Sequence, residues 1–181
     1  MGLLVEGKWQ DRWYNTAKSG GRFVRKESRF RNWITADGSS GFPAEAGRYH
    51  LYVAWACPWA HRTLLVRALK GLTEAISVSV VHPDMLSEGW SFAETHPDHL
   101  FGLSRLHEVY TRADPEYTGR VTVPVLWDKK RGTIVSNESS EIIRMLNTEF
   151  AGIGTPLDDT DIYPEHLREE IDAINATIYH N

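Results

Sequence analysis

One residue in this chain can act as a strong nucleophile. Cys57 is the only cysteine among 181 residues, and it stands in Trp55-Ala56-Cys57-Pro58-Trp59-Ala60, between a β-rich stretch and a run with helical spacing. At the mouth of a helix, unpaired backbone N–H groups and the helix dipole favour an anion. The thiolate, not the thiol, is the nucleophile. Most lone cysteines are small buried hydrophobes instead, but such residues seldom occupy a loop flanked by tryptophans. Position 60 is Ala, so Cys57 has no nearby thiol with which to close a disulfide. Any mixed disulfide formed on it must be resolved by an external thiol.

Two further patterns carry chemistry. Val123-Pro124 falls inside a strand-like run, where proline implies an edge, a bulge or a cis peptide. Asn137-Glu138-Ser139-Ser140 opens a second helix, and helix N-termini hold carboxylates and phosphates through their free N–H groups. There Ser139 can add a hydroxyl bond and Glu138 can take an ammonium; plain capping is the competing reading. His61, one turn after Cys57, can stabilise a thiolate or act as an acid, though packing against the sheet or capping a carbonyl is its commoner use. His96-Pro97-Asp98-His99 lacks a third Cys or His at ligand spacing, so no metal is expected. Asp84, Glu88 and Asp98 show no pairing for acid–base work.

These residues need a frame. Arg48–Val53 reads as a strand, Cys57–Lys70 as a helix and Ala75–Val81 as a second strand, which makes a parallel βαβ unit. Pro58 suits the first helical turn and Gly71 the left-handed stop; Leu64, Leu65, Ala68 and Leu69 form the expected buried stripe. Residues 82–118 are broken by Pro and Gly and predict short helices or a functional insertion. Thr122–Trp127 and Thr133–Ser136 read as a hairpin. A helix runs from Glu138 to about Glu149, with Ile142, Ile143, Met145 and Leu146 inward and Ser136 and Asn137 as capping residues. Residues 1–45 look irregular; the segment 22–31 holds five basic residues to one acid, a solvated edge or an arm lying on the domain, or an anion-binding patch. After a linker, Leu167, Ile171, Ile174 and Ile178 give one clean helical face.

A composition of 41% hydrophobic and 24% charged residues, with net charge −4, is that of an ordinary globular protein. It makes nucleic acid an unpromising partner, and no apolar run is long enough for a bilayer. The N-terminus shows neither a secretory signal nor a myristoylation context. A single cysteine excludes an internal disulfide framework and points to a reducing, cytoplasmic location. Seven tryptophans supply large flat contact surfaces. A lone amphipathic helix cannot bury its own stripe, so either the C-terminal domain is truncated or the last helix packs on another chain.

Four segments together resemble the glutathionyl-hydroquinone reductases, the Xi class of glutathione transferases. They are Trp55-Ala56-Cys57-Pro58-Trp59-Ala60-His61-Arg62, Gly89-Trp90-Ser91-Phe92, Val121–Asp128 and Ser136–Ile143. The resemblance covers essentially the whole chain and implies an α/β fold: a thioredoxin-like N-terminal glutathione transferase domain plus the first helix of an all-α C-terminal domain. The implied division is an arm over 1–45, the glutathione-binding domain over 46–150, a linker over 151–163 and the start of the helical domain over 164–181. The implied reaction is attack by Cys57 on the sulfur of a glutathionyl-hydroquinone, leaving a mixed disulfide that a second glutathione resolves.

In thioredoxin-like folds a cis-proline stands beside the active cysteine, and the residue before it offers its backbone to a peptide-like ligand. Glutathione binding then falls to Trp90, Arg120, Val123, Glu138 and Ser139, with glutathione as co-substrate, no metal, and a homodimer as the assembly. The family's full second domain supplies tyrosines that contact the hydroquinone; only Tyr179 lies in the one helix present, and it is not assigned that role. Two alternatives stay open: an Omega-like thiol transferase or dehydroascorbate reductase, and a non-catalytic interaction module.

Overall fold

The computed structural model describes residues 2–13, 20–21, 27–155 and 160–180. The basic residues at 22, 25 and 26 lie outside them. The elements in order are β1 (Leu3–Val5), β2 (Lys8–Gln10), β3 (Tyr49–Val53), α1 (Pro58–Leu69), β4 (Ile76–Val80), α2 (Leu106–Ala113), β5 (Gly119–Arg120), β6 (Val125–Asp128), β7 (Thr133–Ser136), α3 (Ser139–Thr148) and α4 (Arg168–His180). A short 3₁₀ turn, Glu165–Leu167, precedes α4.

Strands β4, β3, β6 and β7 form one sheet in that order. The β3–β4 pair is parallel, joined by a crossover through α1; β6 pairs antiparallel with β3 and with β7. The two interior strands are covered on both faces, so every residue of β3 and of β6 is buried, polar ones included. Leu51, Val53, Val125 and Leu126 have no exposed surface; each contributes about 1.5–3 kcal/mol by burial.

The outer edge of β7 is not left open. Asn32 N–H bonds the Val135 carbonyl at 2.9 Å and Asn137 N–H bonds the Phe30 carbonyl at 3.2 Å. This stretch of the arm thus covers what would otherwise be an unpaired strand edge.

Helix α1 departs from expectation in which face it buries. Ala60, Thr63 and Val66 are inward, whereas Leu65 and Leu69 are 50% and 40% exposed. Small side chains at 60 and 63 let the helix sit close on the sheet, and that outweighs the greater apolar content of the other stripe. Its end is as expected. Gly71 takes φ 63°, and the Gly71 and Leu72 N–H groups return to Ala68 and Arg67 carbonyls at 3.0 and 2.9 Å, a Schellman stop.

The first residues are not wholly irregular. β1 and β2 form a hairpin over Glu6-Gly7, both at positive φ (48° and 71°), the signature of a two-residue primed turn. β5 joins them in a second, three-stranded sheet. The 82–118 segment holds α2 and is ordered by Asp98. This buried carboxylate accepts N–H groups from Leu100, Phe101 and Leu103 at 3.0–3.2 Å and the Tyr52 hydroxyl at 3.1 Å.

Candidate functional site

Cys57 is the N-cap of α1, with extended backbone (φ −102°, ψ 113°) and Pro58 opening the helix. Its N–H goes back to the Ala54 carbonyl at 3.1 Å and its carbonyl receives His61 N–H at 2.9 Å. An N-cap residue is half outside its helix, and the Cys57 side chain is accordingly only partly buried. Its thiol donates to the Val123 carbonyl at 3.7 Å. The Val123-Pro124 peptide is cis, and the regular strand β6 begins only at Val125, after the proline.

On the next helix, Glu138 rather than Ser136 or Asn137 is the N-cap. The Ser136 hydroxyl instead accepts the Glu138 N–H at 3.1 Å. The Glu138 carboxylate receives the Ser140 and Ser28 hydroxyls at 3.2 and 3.3 Å. Ser139, the first helical residue, is buried. Its Oγ accepts from Arg62 Nε at 3.1 Å and Nη2 at 2.8 Å. One turn into α3, Glu141 holds Arg31 in an ion pair, and that hydrogen bond raises the arginine's pKa.

The candidate residues therefore close into a ring. Cys57 touches Val123; Thr122, beside it, bonds Tyr110; Tyr110 bonds Asn137; Asn137 leads to Glu138 and Ser139; Arg62 returns from Ser139 to α1. Arg62 stands within the cysteine motif and Tyr110 within the broken 82–118 segment. Neither has a local signal, because each matters through a partner 12 or more residues away.

Trp90 and Arg120 are not members of this chain of bonds, although the Arg120 carbonyl accepts the hydroxyl of Tyr117, whose ring packs on Tyr110. Trp90 is 9% exposed within the core, and its carbonyl accepts the Leu106 N–H at 2.9 Å at the start of α2. Arg120 lies on β5, its Nη1 donating to the Arg12 carbonyl at 2.6 Å. His61 is exposed, and among the described residues its ring caps no carbonyl. Trp55 and Trp59, flanking Cys57 in sequence, are 64% and 42% exposed, and the Arg62 guanidinium lies 5.1 Å from the Trp59 ring centroid.

His96 and His99 do not converge. The first packs on His82 with ring centroids 5.4 Å apart, and the second offers its backbone N–H to Ser79 Oγ. Among the described residues no three His, Cys, Asp or Glu side chains gather as a metal set, and no helix is long and apolar enough to cross a membrane.

Comparison with known proteins agrees with this geometry. The family model "Glutathione S-transferase, N-terminal domain" matches residues 56–149. Glutathionyl-hydroquinone reductase YqjG of Escherichia coli is 55% identical over 99% of this chain and 57% of its own length. Glutathionyl-hydroquinone reductase PcpF of Sphingobium chlorophenolicum is 55% identical over 99% of this chain and 56% of its own. Among solved structures, the glutathione-bound structure of YqjG superposes with TM-score 0.85 at 49% identity, covering 99% of this chain and 55% of that one. A Xi-class glutathione transferase from Natrialba magadii gives TM-score 0.86 at 46% identity, over 99% and 54% of the two chains. The chain thus spans somewhat over half the length of these relatives. A cysteine-headed βαβ unit, a cis-proline beside the thiol and a matching family model together establish that the chain belongs to the glutathione S-transferase family, whose N-terminal domain it carries.

Proposed function

We propose that this chain is the glutathione-binding part of a glutathionyl-hydroquinone reductase and that Cys57 is its nucleophile. The observation that carries the reading is the thiol at the α1 N-cap, 3.7 Å from the Val123 carbonyl. A ligand that pairs its cysteinyl backbone with Val123, as a short strand addition, brings its own sulfur to Cys57.

Ser139 and Glu138 take the γ-glutamyl end. Arg62 occupies the acceptor side of Ser139 Oγ with two donors, which leaves the hydroxyl proton to donate to a carboxylate. The amine of the ligand meets the Glu138 carboxylate. Trp90 and Arg120 serve the glycyl end, Arg120 exchanging the Arg12 carbonyl for a carboxylate, a charge-assisted bond in place of a neutral acceptor. The exposed Trp55 and Trp59 rings offer an apolar rim to an aromatic substrate.

In the reaction the Cys57 thiolate attacks the glutathionyl sulfur. The sulfur–aryl bond breaks, the aryl carbon takes a proton, and hydroquinone leaves. A second glutathione thiolate then attacks the mixed disulfide, yielding oxidised glutathione and restoring the Cys57 thiolate. The two sulfurs are oxidised and the ring carbon is reduced.

The reading extends to the domain division at 46–150 and 164–181, to a homodimer as the working assembly and to a cytoplasmic setting, where reduced glutathione is available. Mass spectrometry after incubation with excess oxidised glutathione tests the core of it. A glutathione adduct on Cys57, absent from Cys57→Ala, is expected; an unmodified wild type overturns the proposal. An Omega-like activity is the second reading, favoured by the isolated thiol with Ala60 in place of a second cysteine and by a 47%-identical relative from Schizosaccharomyces pombe named "Glutathione S-transferase omega-like 2". Faster turnover of a simple mixed disulfide than of a glutathionyl-hydroquinone would select it.

A further inference from the structure

We infer that Tyr110 is a positioning residue for glutathione: its buried hydroxyl sets the distance between the Val123 backbone and the N-terminus of α3. The inference rests on the reading of Val123, Glu138 and Ser139 as the ligand's two points of attachment.

Tyr110 lies on α2 and has no exposed surface. Its hydroxyl donates to the Thr122 carbonyl at 2.8 Å, accepts the Thr122 N–H at 3.3 Å and accepts Asn137 Nδ2 at 3.2 Å. Thr122 is covalently next to Val123, and Asn137 is next to Glu138. A single oxygen thus ties both segments, 15 residues apart in sequence at 122 and 137, to the same point. Thr122 and Asn137 themselves lie outside the regular strands and helices, although Asn137 follows β7 directly and bonds Phe30 through its backbone. β6 starts three residues after Thr122 and α3 two residues after Asn137.

The phenol itself is fixed from the sides. The Phe30 and Tyr117 rings pack on it with centroids 6.0 and 5.1 Å away. Rigid aromatic packing keeps the oxygen in place, so its bonds to Thr122 and Asn137 transmit position rather than follow it. Asn137 is itself buried, and its Oδ1 has no hydrogen-bond partner among the described residues. Its orientation therefore depends on the bond to Tyr110, not on a second contact of its carbonyl.

A tripeptide held at both ends gains affinity only if the two ends stand at the right separation. Removing the hydroxyl leaves the packing but frees that separation. Tyr110→Phe is expected to raise the glutathione concentration giving half-maximal adduct formation about tenfold, the worth of one buried hydrogen bond in binding. The rate of Cys57 alkylation by iodoacetamide, measured on the same variant, reports separately how far the thiol beside Val123 is affected.

Tyr49→Phe is the control for a general loss of stability. It removes another buried tyrosine's hydrogen bond, to the Pro43 carbonyl at 2.7 Å, at the far end of β3 from Cys57. Its thermal midpoint should fall as that of Tyr110→Phe does, while its half-maximal glutathione concentration matches wild type. Equal half-maximal concentrations in wild type and Tyr110→Phe overturn the inference alone. Equal rises in both variants also overturn it, since stability then accounts for the effect. A wild type that takes up no glutathione, yet alkylates at Cys57, overturns the functional reading and this inference with it.

Discussion

Every side chain of β3 is buried, whereas no described side chain of α4 is; Ile174 and Ile178 are 60% and 63% exposed. The sheet is held by apolar burial on both faces. The last helix sits on α3 through polar groups. Asp172 takes Arg144 Nη2 at 2.5 Å and the Tyr163 hydroxyl at 2.7 Å, and Arg144 and Arg168 lie 4.0 and 5.2 Å from the Tyr163 ring centroid. Asn147 adds a bond to Asp161 at 2.6 Å. Apolar burial is insensitive to salt and mild pH, while exposed ion pairs are screened and weak. The thiol, Val123 and Ser139 all stand on the first kind of structure. The comparison thus predicts a site whose integrity does not depend on how α4 is seated.

The largest effect should come from the buried charge pair at the end of the sheet. Arg48 and Asp128, 8% and 0% exposed, meet through Arg48 Nη2 at 2.5 Å and Nε at 3.0 Å. That hydrogen bond to Asp128 raises the arginine's pKa. The pair clamps the start of β3 to the end of β6, the opposite end of β3 from Cys57. Arg48→Met leaves a buried carboxylate with only the Lys130 and Arg131 N–H groups at 2.8 and 3.1 Å, and should cost about 3–5 kcal/mol of stability in urea denaturation. If the loss is under about 1 kcal/mol, the sheet is less tightly determined than the comparison holds.

Much of that sheet is legible without coordinates, because the signals are local. The β-rich Arg48–Val53 run, Pro58, Gly71 and the apolar run at 75–81 each mark an element by its own chemistry. What escapes is non-local. Strands of three residues carry no periodicity, so β1 and β2 show only through pairing with each other and with β5, more than 100 residues on. Their Glu6-Gly7 turn lacks the usual Asn-Gly or Asp-Gly cue. The inward face of α1 is not legible from apolar content, because close approach to a sheet selects Ala60 and Thr63 over larger Leu65 and Leu69. In the site, Cys57, the proline after Val123 and the α3 start announce themselves by residue type. Arg62 and Tyr110 do not, since their importance lies in which distant atom each meets.

A smaller, pH-dependent effect sharpens the same contrast from within the sheet. His50 is buried on β3 between Ser77 Oγ at 2.7 Å and Ser79 Oγ at 2.9 Å, and burial pushes its imidazole down to about 4. Both partners are hydroxyls, able to donate or accept, so it is desolvation rather than the hydrogen-bond pattern that disfavours the charged ring. The unfolded chain binds this proton near pH 6.5 and the folded chain only near 4, so stability falls as pH drops through that window and levels off below it. The full loss is about 3 kcal/mol. His50→Gln should start less stable at pH 7 but lose less between pH 6.5 and 4.5. Parallel stability-against-pH curves for the two proteins would show that the imidazole does not set the slope.

The smallest effect is expected at α4, and it is the one that can break the comparison. The Tyr163 hydroxyl, and then Arg144, hold the Asp172 carboxyl below the usual carboxylate range. A depressed acid pKa means the contribution is present above the unfolded value and lost as pH falls through the folded one. Asp172→Asn removes the charge at every pH, and salt screens it in the wild type. Either change should speed hydrogen exchange of the α4 amides while leaving the thermal midpoint of the sheet and the alkylation rate of Cys57 unmoved. A loop or helix seated by exposed polar contacts opens locally, without global unfolding. Should Asp172→Asn instead lower the sheet's midpoint, or slow the thiol, then α4 and the sheet unfold as one unit. Ser140, next to Ser139, borders the same cavity of about 220 Å³ as Arg144 and Tyr163. Arg62, bonded to Ser139, lines that cavity too, so side chains around it would carry such coupling to the site.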